Sequence, residues 1–487
     1  MDVLLTHGYH LWDDAHERQT MRPYPPLGIL YIAGHLEAKG VAVGVFDSTF
    51  MGAGDFVRAL QEHRPLVVGI YANMLTRKRV LPMIRACKQV GARVVVGGPD
   101  PGNWAEAYLD HGADAVAIGE GEETLEELAA FWQQHTGRAG DDLSGIPGLV
   151  WRARATHGAQ GELVAGSGEI LRNVPRRQLL DLDAQPFPAR HLIDIDAYVR
   201  TWRRHHGQGS VSLITARGCP FHCTWCSHAV YGHSHRRRSP ANVADEVEAI
   251  VARYDPELLW YADDVFTIHK KWLRDYAAEL SRRGIRRPFE TITREDRLDD
   301  HTMDTLAEMG CYRIWVGAES GSQRVLDLMK RKTDAERVID MVHGLQRRGI
   351  QAGMFIMLGY DDERLEDLQE TVRVLRRAAP DVFLTTVSYP IKNTPYYEQV
   401  KDRIVARKAW AEGSDRDFDV VGRHTQRYYE HATRWMVNSV AASRLQLRAT
   451  GAPRDRARLV KAQVSAQLGR LGMRATDAAR VTREGAA

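Results

Sequence analysis

The stretch RGCPFHCTWCSH, residues 217–228, holds three cysteines in the spacing Cys-x3-Cys-x2-Cys. The three are Cys219, Cys223 and Cys226. They follow a short apolar run, SVSLITA, that predicts a β-strand. Thiolates at this spacing on a turning loop can face a common centre, and soft thiolate ligands select zinc or an iron–sulfur cluster. The stretch therefore predicts a metal site directly after a strand.

Two metal centres suit three cysteines on one loop. For zinc, His222 or His228 would supply the fourth ligand, although structural zinc sites usually join two ligand pairs from separate segments. For a [4Fe–4S] cluster, cysteines would hold three irons and the fourth iron would stay open to bind another molecule. The other cysteines, Cys87 and Cys311, stand apart in the sequence and are predicted to pack in the core. The absence of a second ligand pair favours the cluster.

The composition restricts the class of protein. The chain has 487 residues, enough for two or three domains, and its formal net charge of +3 is nearly neutral, which argues against a nucleic-acid partner. Five cysteines make no disulfide framework, the N-terminus lacks a signal-peptide pattern, and no apolar run is long enough for a membrane span. We expect a soluble cytoplasmic protein with reduced thiols and no membrane span.

Residues 1–135 alternate apolar runs with segments of helical periodicity, which predicts a doubly wound parallel sheet. Ligands bind such sheets beyond the carboxyl ends of the strands. Two of these ends are rich in glycine, so that a large flat ligand could approach the backbone; the alternative is that the glycines only make tight turns. The runs that predict strands are DVLLTH, VAVGVFDST, PLVVGIYAN, ARVVVGGPD and ADAVAIGEGE.

Three further regions complete an α/β protein. Residues 136–195 predict a turn-rich linker with a short hairpin. Residues 196–395 alternate six strands with helices, too few for a closed eight-stranded barrel, so they predict an open six-stranded partial (β/α)6 barrel with its chemistry at the strand ends. Residues 396–487 show no strand pattern and predict a helical region with a disordered end.

Several motifs now point to a known family. The cysteine spacing, with Trp225 before the last cysteine, resembles the signature of radical S-adenosylmethionine (SAM) enzymes, and TREDRLDD, LAEMGCYRIWVGAESGSQRVLDLMKR and MFIMLGYDDE resemble barrel motifs of that superfamily. Ahead of them, YPPLGILYIAGHLEAKG, VVVGGPD and AVAIGEGEETLEEL resemble the cobalamin-binding domain of one large subgroup. The resemblance, over about residues 1–395, implies that SAM chelates the open iron and that its cleavage releases a 5′-deoxyadenosyl radical.

The resemblance assigns SAM contacts to acidic and basic residues at predicted strand ends. Asp263 and Asp264 would face the SAM ammonium group; the alternative is that they cap the following helix. Arg294 would reach the SAM carboxylate; the alternative is an ion pair with Glu295 or Asp296.

Two later strand ends are expected to meet the nucleoside part of SAM. Glu319 and Ser320 would contact the ribose hydroxyls, or would cap the next helix. Gly359 would leave room for the adenosine. The family more often has proline after this glycine, and Tyr360 stands here, which leaves the local pocket shape open.

The same resemblance implies that the first domain binds cobalamin. The Asp-x-His-x-x-Gly signature is missing, because Asp14 and His16 have no following glycine at the required offset. We therefore expect cobalamin without a protein histidine on its lower face, an empty degenerate domain being the alternative. The residues expected to touch the corrin are Tyr71, Asn73, Gly97, Gly98, Glu120 and Gly121.

Three functions follow from this resemblance. The leading one is radical methyl transfer to an unactivated carbon, with cobalamin and SAM as cofactors. A second is oxidative cyclisation of the magnesium-protoporphyrin monomethyl ester type, without methyl transfer. A third, a non-catalytic corrinoid carrier or sensor, is disfavoured by the intact cysteine triplet.

Two kinds of partner are expected. A small-molecule substrate would lie between the strand ends of the two domains. The basic segment 200–206 would meet an acidic substrate; the alternative is that this segment is only solvated. An external electron donor such as flavodoxin or ferredoxin would dock on residues 451–487, where eight basic residues face three acidic ones; the alternative is a solvated tail. The candidate substrate-lining residues are Tyr389, Asn393, Tyr428, Tyr429 and Trp435, although packing against the barrel also explains the last three.

Overall fold

The computed structural model describes residues 1–135, 141–153, 156–157, 163–164, 168–448 and 452–483. The chain forms two compact units. The first contains Met1–Pro220, Ser227–Trp260 and Ala411–Ser414; the second contains Phe221–Cys226, Tyr261–Trp410 and Asp415–Ala487. The expected disordered end lies partly outside the described residues, which stop at residue 483.

The strands follow the alternation of apolar runs along the chain. They are β1 Val3–His7, β2 Val43–Phe46, β3 Val67–Tyr71, β4 Arg93–Gly97, β5 Ala115–Ala117, β6 Leu149–Arg152, β7 Thr156–His157, β8 Leu163–Val164, β9 Ile170–Arg172, β10 Ser210–Leu213, β11 Ala216–Arg217, β12 Arg236–Arg237, β13 Leu258–Tyr261, β14 Phe289–Thr293, β15 Cys311–Glu319, β16 Gln351–Leu358, β17 Val382–Val387, β18 Ile404–Ala406 and β19 Phe418–Val420.

The helices lie between the strands and at the C-terminal end. They are α1 Ala15–Thr20, α2 Leu27–Ala38, α3 Ala53–His63, α4 Arg77–Gln89, α5 Pro99–Asn103, α6 Ala105–Asp110, α7 Glu122–Gln134, α8 Ile195–His206, α9 Pro240–Tyr254, α10 Lys270–Arg282, α11 Asp300–Glu308, α12 Gln323–Leu328, α13 Ala335–Arg347, α14 Leu365–Ala378, α15 Pro395–Val400, α16 Gln426–Arg448 and α17 Pro453–Thr476. None of the described helices combines the length and hydropathy needed to cross a lipid bilayer.

The first sheet has the order β2-β1-β3-β4-β5-β6-β9. Its first five strands are parallel, which confirms the prediction of a doubly wound sheet. Strands β6 and β9 add to its edge in antiparallel register. Residues 136–195, predicted as a linker with a short hairpin, contain these two edge strands, and within the predicted hairpin β7 and β8 pair in antiparallel register. Part of the predicted hairpin lies outside the described residues.

One apolar core packs against the first sheet. Apolar residues of β1, β3 and β4 are buried together with residues of α2 and α7, whose apolar positions recur at helical spacing. Trp132 of α7 and Trp151 of β6 are the largest side chains of this core and are 2% and 4% exposed. The carboxyl ends of the strands lie outside this core, and polar residues and glycines are concentrated there.

The second sheet has the order β10-β13-β14-β15-β16-β17. Strands β14 to β17 are parallel neighbours, with Phe289 opposite Cys311 and Gly353 opposite Val382. Helices separate successive strands, and several begin at a polar N-cap; Ser239 caps α9 and Asp299 caps α11. This confirms the six predicted strands and their order along the partial barrel.

The C-terminal region is helical, as predicted, but it also contains strand. Helices α16 and α17 pack closely: a Cβ added to Gly469 would lie 2.6 Å from the backbone nitrogen of Trp435. The expectation of no strand after residue 396 is wrong, because β18 and β19 form an antiparallel pair. Three-residue strands are too short to leave a periodic pattern in the sequence.

Candidate functional site

All five cysteines are free thiols. Cys87 and Cys311 are buried, as expected, whereas Cys219 and Cys223 are partly exposed and Cys226 is exposed. The backbone nitrogen of Cys226 donates to the carbonyl of Cys223 at 3.2 Å, which turns the loop between these two thiols. Among the described residues, no group of three or more His, Cys, Asp and Glu side chains is arranged as a metal site. The cluster ligands therefore stay a prediction.

The surroundings of Cys223 suit a thiolate ligand. Nη1 of Arg294 and Nη1 of Arg331 lie 3.8 Å and 3.9 Å from its sulfur. The Arg294 guanidinium also lies against the ring of Phe221, 4.0 Å from the ring centroid. Burial raises the pKa of the Cys223 thiol, and the charge of Arg294 opposes this rise and so favours the anionic form that iron requires. Donors to sulfur are also a known means of tuning such clusters. The donor set thus fits an iron–sulfur cluster.

Thr224 holds the same loop within the second unit. This residue is 1% exposed, and its hydroxyl lies 3.1 Å from the carbonyl oxygen of Met329 and 2.5 Å from the hydroxyl of Tyr360. Its own carbonyl accepts from the backbone nitrogen of Tyr396 at 2.9 Å. The loop between Cys223 and Cys226 is therefore anchored through its buried threonine.

A buried ion-pair network in the first unit holds the residue two positions before Cys219. Arg217 donates to Glu120 and to Glu122, each at 2.7 Å, and Arg236 donates to the other oxygen of Glu120 at 2.7 Å. All four side chains are at most 9% exposed. Sequence reasoning missed the two arginines, because nothing local marks a partner about a hundred residues away.

The acidic and basic residues at the strand ends differ in exposure and in their contacts. Asp263 is 1% exposed. Asp264, its neighbour, is exposed. Arg294 is 3% exposed and donates to Asp296 at 2.9 Å, the ion pair that we gave as an alternative. It also donates to the carbonyl of Arg331 at 2.9 Å. The assigned SAM contacts of these residues remain predictions.

Glu319 and Ser320 end β15 in an unusual conformation. Glu319 has φ +63°, in the left-handed region that non-glycine residues rarely adopt. Burial raises the pKa of its carboxyl to about 8, and Glu295 adds to the rise while Arg294 opposes it. The Ser320 hydroxyl lies 3.1 Å from the Thr371 hydroxyl and accepts from the backbone nitrogen of Ser322 at 3.1 Å. Ser320 thus shapes the start of the next helical segment.

Gly359 directly follows β16 and has φ +71°. A Cβ at this position would lie 2.7 Å from the Tyr429 ring and 3.0 Å from Nη2 of Arg423. Its backbone nitrogen donates to Oε2 of Glu363 at 2.5 Å. Only glycine fits this close approach, although in this structure the space beside its Cα is filled by protein side chains.

We predict that the titration of Glu363 lowers the stability of the fold at neutral and basic pH. Burial, reinforced by Asp367 and opposed by Arg423 and Arg324, raises the pKa of this carboxyl from 4.5 to about 8. Between these values the folded state keeps a proton that the unfolded state releases, so stability falls as pH rises, by at most about 1.4 kcal/mol per pH unit.

Urea unfolding of the full chain at pH 5, 6, 7 and 8 tests this. Glu363→Gln is expected to be more stable than the wild type at pH 8, with the gap closing towards pH 5. The exposed Glu366→Gln, on α14, serves as the matched control and should follow the wild type. A Glu363→Gln variant whose gap does not change with pH would contradict the expectation.

The carboxyl edge of the first sheet carries the residues expected to meet the corrin. Gly98 and Gly119 have φ +110° and +87°. A Cβ on Gly119 would lie 3.7 Å from the carbonyl oxygen of Val230, and one on Gly102 would lie 3.8 Å from Cβ of Ala229. Bare backbone at this edge therefore lets another group lie flat against it, and the segment of residues 229–230 does so here.

The other predicted corrin residues have local partners. The Asn73 side chain accepts from the backbone nitrogens of Leu75 and Thr76 at 3.0 and 3.1 Å. Tyr71 and Gly97 are partly exposed at the strand ends. A Cβ on Gly121 would lie 2.7 Å from Cδ1 of Ile32. These contacts leave Tyr71 and Gly97 as the more accessible residues of the set.

The histidines near this edge have protein partners. Asp14 caps α1 by accepting from the backbone nitrogens of His16 and Glu17 at 2.8 and 3.2 Å. His7 lies 2.9 Å from Asp47, whose carboxylate also accepts from the hydroxyl of Tyr198 at 2.7 Å. The Asp14–His16 pair is thus the start of a helix.

Gly98→Ala is predicted to destabilise the first unit. A left-handed non-glycine residue costs about 1–3 kcal/mol, and the added Cβ would also lie 2.4 Å from the backbone oxygen of Ala72. Thermal unfolding should show a lower midpoint than for Gly40→Ala, the matched control. Gly40 has φ +76° and open space around the Cβ position, so that only the conformational cost arises there. Equal midpoints for the two variants would contradict the prediction.

The candidate substrate residues are spread over the structure. Tyr429 is 3% exposed and lines a cavity, whereas Tyr428 is 2% exposed and stacks on His424 at 3.7 Å. The guanidinium of Arg416 lies 5.9 Å from the Tyr389 ring. Asn393 has φ +68°, and Trp435 is partly buried on α16. The basic segment 200–206 belongs to α8, and there Arg203 pairs with Glu257 at 2.7 Å.

Comparison with known proteins adds the identity of the two domains. The radical SAM superfamily model matches residues 213–375, and the B12 binding domain model matches residues 21–129. The first match contains the cysteine loop and β13 to β16, and the second contains the glycine-bearing sheet edge. Both matches agree with the domain order predicted from the motifs.

Relatives and solved structures resemble the chain over most of its length. It is 30% identical over 392 residues to cytidylyl-2-hydroxyethylphosphonate methyltransferase of Streptomyces wedmorensis, covering 71% of this chain and 72% of the relative. It is 25% identical over 391 residues to the anaerobic magnesium-protoporphyrin IX monomethyl ester cyclase of Rubrivivax gelatinosus, covering 78% and 67%. The radical SAM methyltransferase TsrM of Kitasatospora setae, solved with tryptophan and a SAM analogue, superposes with a TM-score of 0.65 at 19% identity, covering 85% and 82%.

Proposed function

Because the chain belongs to the cobalamin-dependent radical SAM enzymes, we propose that it transfers a methyl group to a carbon of a small-molecule substrate. One observation carries the choice of reaction: the 30% identity to a methyltransferase extends over 392 residues. The cofactors of the enzyme are a [4Fe–4S] cluster, SAM and cobalamin. When bound, SAM at the cluster supplies a 5′-deoxyadenosyl radical for hydrogen abstraction, and cobalamin supplies the methyl group.

The residues of the second unit would bind the cluster and SAM. Cys219, Cys223 and Cys226 would be the iron ligands. Arg294 and Arg331 lie beside the sulfur of Cys223, where their charges would stabilise its thiolate. The remaining proposed SAM contacts are the side chains or backbone of Asp263, Asp264, Arg294, Glu319, Ser320 and Gly359.

The residues of the first unit would bind cobalamin at the carboxyl edge of its sheet. Gly97 and Gly98 would let the corrin lie against bare backbone, and Tyr71 would contact it through its ring. Glu120 uses both carboxylate oxygens for Arg217 and Arg236, so its proposed corrin contact is made by the backbone. The remaining proposed contacts are Asn73 and Gly121.

Oxidative cyclisation is the second candidate function. The observation that favours it is the 25% identity to a cyclase over 391 residues, which spans the same two domains. Both reactions begin with hydrogen abstraction, so the cofactor-binding residues do not separate them. The products separate them: methyl transfer adds a carbon, and cyclisation of the cyclase type does not.

Anaerobic turnover with trideuteromethyl SAM tests the choice. The cofactor-loaded enzyme is mixed with a reductant and a small-molecule extract of its own host cells, and the products are read by mass spectrometry. Methyl transfer predicts a product in which CD3 replaces hydrogen, together with 5′-deoxyadenosine and S-adenosylhomocysteine. A product that loses hydrogen or gains oxygen, with 5′-deoxyadenosine alone, would establish cyclase-type chemistry instead. A Cys223→Ala enzyme is the inactive control.

An acidic protein is the proposed electron donor, and α17 is its proposed docking surface. The helix carries six basic residues and one acidic residue, and its basic side chains are exposed. An apolar stripe lies on the same helix, with each member about half exposed: Val460, Val464, Leu468 and Leu471. The opposite face packs on α16 through small residues such as Gly469. A basic rim around apolar side chains suits a negatively charged protein surface.

Charge reversal tests this docking surface. In a triple variant, Arg454, Arg458 and Lys461 are each changed to Glu, and turnover is measured with reduced flavodoxin and with dithionite. Flavodoxin-driven turnover should fall at low salt, while dithionite-driven turnover stays unchanged. The exposed Arg376→Glu, on α14, is the control. Equal rates of flavodoxin-driven turnover for the triple variant and the wild type would exclude this docking surface.

The five free thiols and an oxygen-sensitive cluster support a cytoplasmic location.

A further inference from the structure

A cavity of about 450 Å³ opens in the second unit beside the carboxyl end of β16. Its wall is formed by the segment from Tyr360 to Leu365, by Arg403, by the turn before α16 together with Tyr429 of that helix, and by two residues after α17. Its volume lies in the range of small-molecule sites. None of its lining residues is among those assigned above to the cluster, SAM or cobalamin.

Arg423 provides the cavity with a buried cation. The side chain is 8% exposed, and Nη1 donates to the carbonyl oxygen of Ser388 at 3.0 Å. The guanidinium carbon lies 5.5 Å from the centre of the Tyr429 ring. Nε is buried and has no hydrogen-bond partner. The guanidinium interacts with Tyr396 and Tyr429, and no carboxylate in the described part of the chain lies within ion-pair distance of it. A buried charge without a counter-ion is costly, so the site favours an anion.

The other charged groups of the wall do not supply that anion. Arg403 pairs with Asp361 at 2.8 Å. Arg480 bonds to the carbonyl oxygen of Asp477 and lies 2.9 Å from Nδ1 of His424. Asp362 pairs with Arg324 and Arg364, and the Asp477 carboxylate lies 3.9 Å from Nε2 of His424. Arg480 therefore adds a positive charge to the wall.

Glu363 also lines the cavity, and burial raises the pKa of its carboxyl group. Oε2 accepts from the backbone nitrogen of Gly359, and Oε1 is buried without a partner. The pKa of about 8 means that it carries a proton at neutral pH. A protonated carboxyl donates a hydrogen bond, so it adds a donor to the cavity and no negative charge.

We propose that this cavity binds a small molecule through its carboxylate group, with Arg423 as the residue that receives the carboxylate. Guanidinium and carboxylate groups match in plane and spacing, and the pair can form two parallel hydrogen bonds. The rings of Tyr360 and Tyr429, 2% and 3% exposed, provide an apolar wall for the rest of the molecule. The proposal concerns binding and does not depend on which reaction the enzyme catalyses.

Calorimetric titration of the cofactor-loaded enzyme with benzoate tests the proposal. Benzoate offers a planar carboxylate and an apolar ring, and benzamide is its uncharged match. The wild type should bind benzoate in a saturable way and benzamide more weakly. Arg423→Met should weaken benzoate binding by about thirtyfold or more, as expected on removing one partner of a buried charge pair. The exposed Arg376→Met, on α14, should bind as the wild type does.

Three further arms decide between the alternatives. Arg423→Lys keeps the positive charge but loses the planar guanidinium, and it replaces the methionine variant as the test if that variant does not fold. It should bind benzoate less tightly than the wild type. Inorganic phosphate should bind more weakly than benzoate, and tighter phosphate binding would overturn the carboxylate assignment. SAM should not compete with benzoate; competition would place the cavity within the SAM site. Failure to saturate, or undiminished binding by Arg423→Met, would also overturn the proposal.

Discussion

Replacement of Cys219, Cys223 or Cys226 by Ala is expected to leave the anaerobically reconstituted protein without a [4Fe–4S] cluster. Each thiolate would hold one iron, and removing one leaves a cluster with two protein ligands and two open irons. Iron and acid-labile sulfide should fall to background, and the broad sulfur-to-iron absorbance should disappear. SAM cleavage to 5′-deoxyadenosine should be lost with it, because the electron reaches SAM through the cluster.

Two other thiols provide the controls for this experiment. Cys87 and Cys311 are 0% and 6% exposed and lie in apolar cores, so that Cys87→Ala and Cys311→Ala should lower stability while the iron content stays unchanged. Zinc in place of iron after anaerobic purification would reject the cluster and restore the zinc alternative. Cluster retention by any one of the three loop variants would show that this cysteine is not a ligand.

Glu120→Ala is expected to be among the most destabilising single changes in the first unit, by about 3–5 kcal/mol. One carboxylate oxygen of Glu120 accepts from Arg217 and the other from Arg236. The second oxygen also accepts from the backbone nitrogen of Leu179 at 3.0 Å. Removing the carboxylate leaves Arg236 with the carbonyl oxygen of Leu179 and no carboxylate, and it leaves Arg217 with Glu122 as its carboxylate partner. The cost follows from these stranded charges, which have no water to solvate them.

Chemical unfolding of the full chain, followed by a probe in the first unit, measures this effect. Asp275→Ala is the control. Asp275 forms an exposed ion pair with Lys271, four residues earlier on the same helix, and such a pair contributes about 0.5 kcal/mol or less to the free energy of unfolding. The free energy of unfolding of Glu120→Gln should lie between those of Glu120→Ala and Asp275→Ala, since the glutamine amide keeps one acceptor oxygen. A Glu120→Ala variant as stable as the control would show that the network adjusts or is hydrated.

The sequence predicted the strands of the two sheets because long apolar runs separated by amphipathic helices leave a clear alternation. The run QAGMFIML, for example, became β16 over its whole length. It did not predict β6 and β9, because their addition to the first sheet depends on an antiparallel pairing between distant segments. Neither did it predict β18 and β19, each only three residues long.

The candidate site was predictable where chemistry concentrates in a short motif. The cysteine loop and the glycines at positions 97, 98 and 359 stood out for this reason. The partners of those residues were not predictable, because Arg331 lies 108 residues from Cys223 and Arg217 lies 97 residues from Glu120. Such pairs form only when the fold brings separate strand ends together. Cavities are equally hidden, since the lining of the Arg423 cavity comes from four separate segments.

The anchoring of the cysteine loop bears on how the enzyme acquires its iron. Arg217 is fixed by two buried carboxylates just before the first cysteine, and Thr224 is fixed by Met329 and Tyr360 between the second and third. Both anchors are made by protein groups, so they are in place before any iron arrives. Little chain entropy is then left to lose on loading. The iron-free polypeptide should accordingly mature as a folded recipient, to which a scaffold protein can hand over a preassembled cluster.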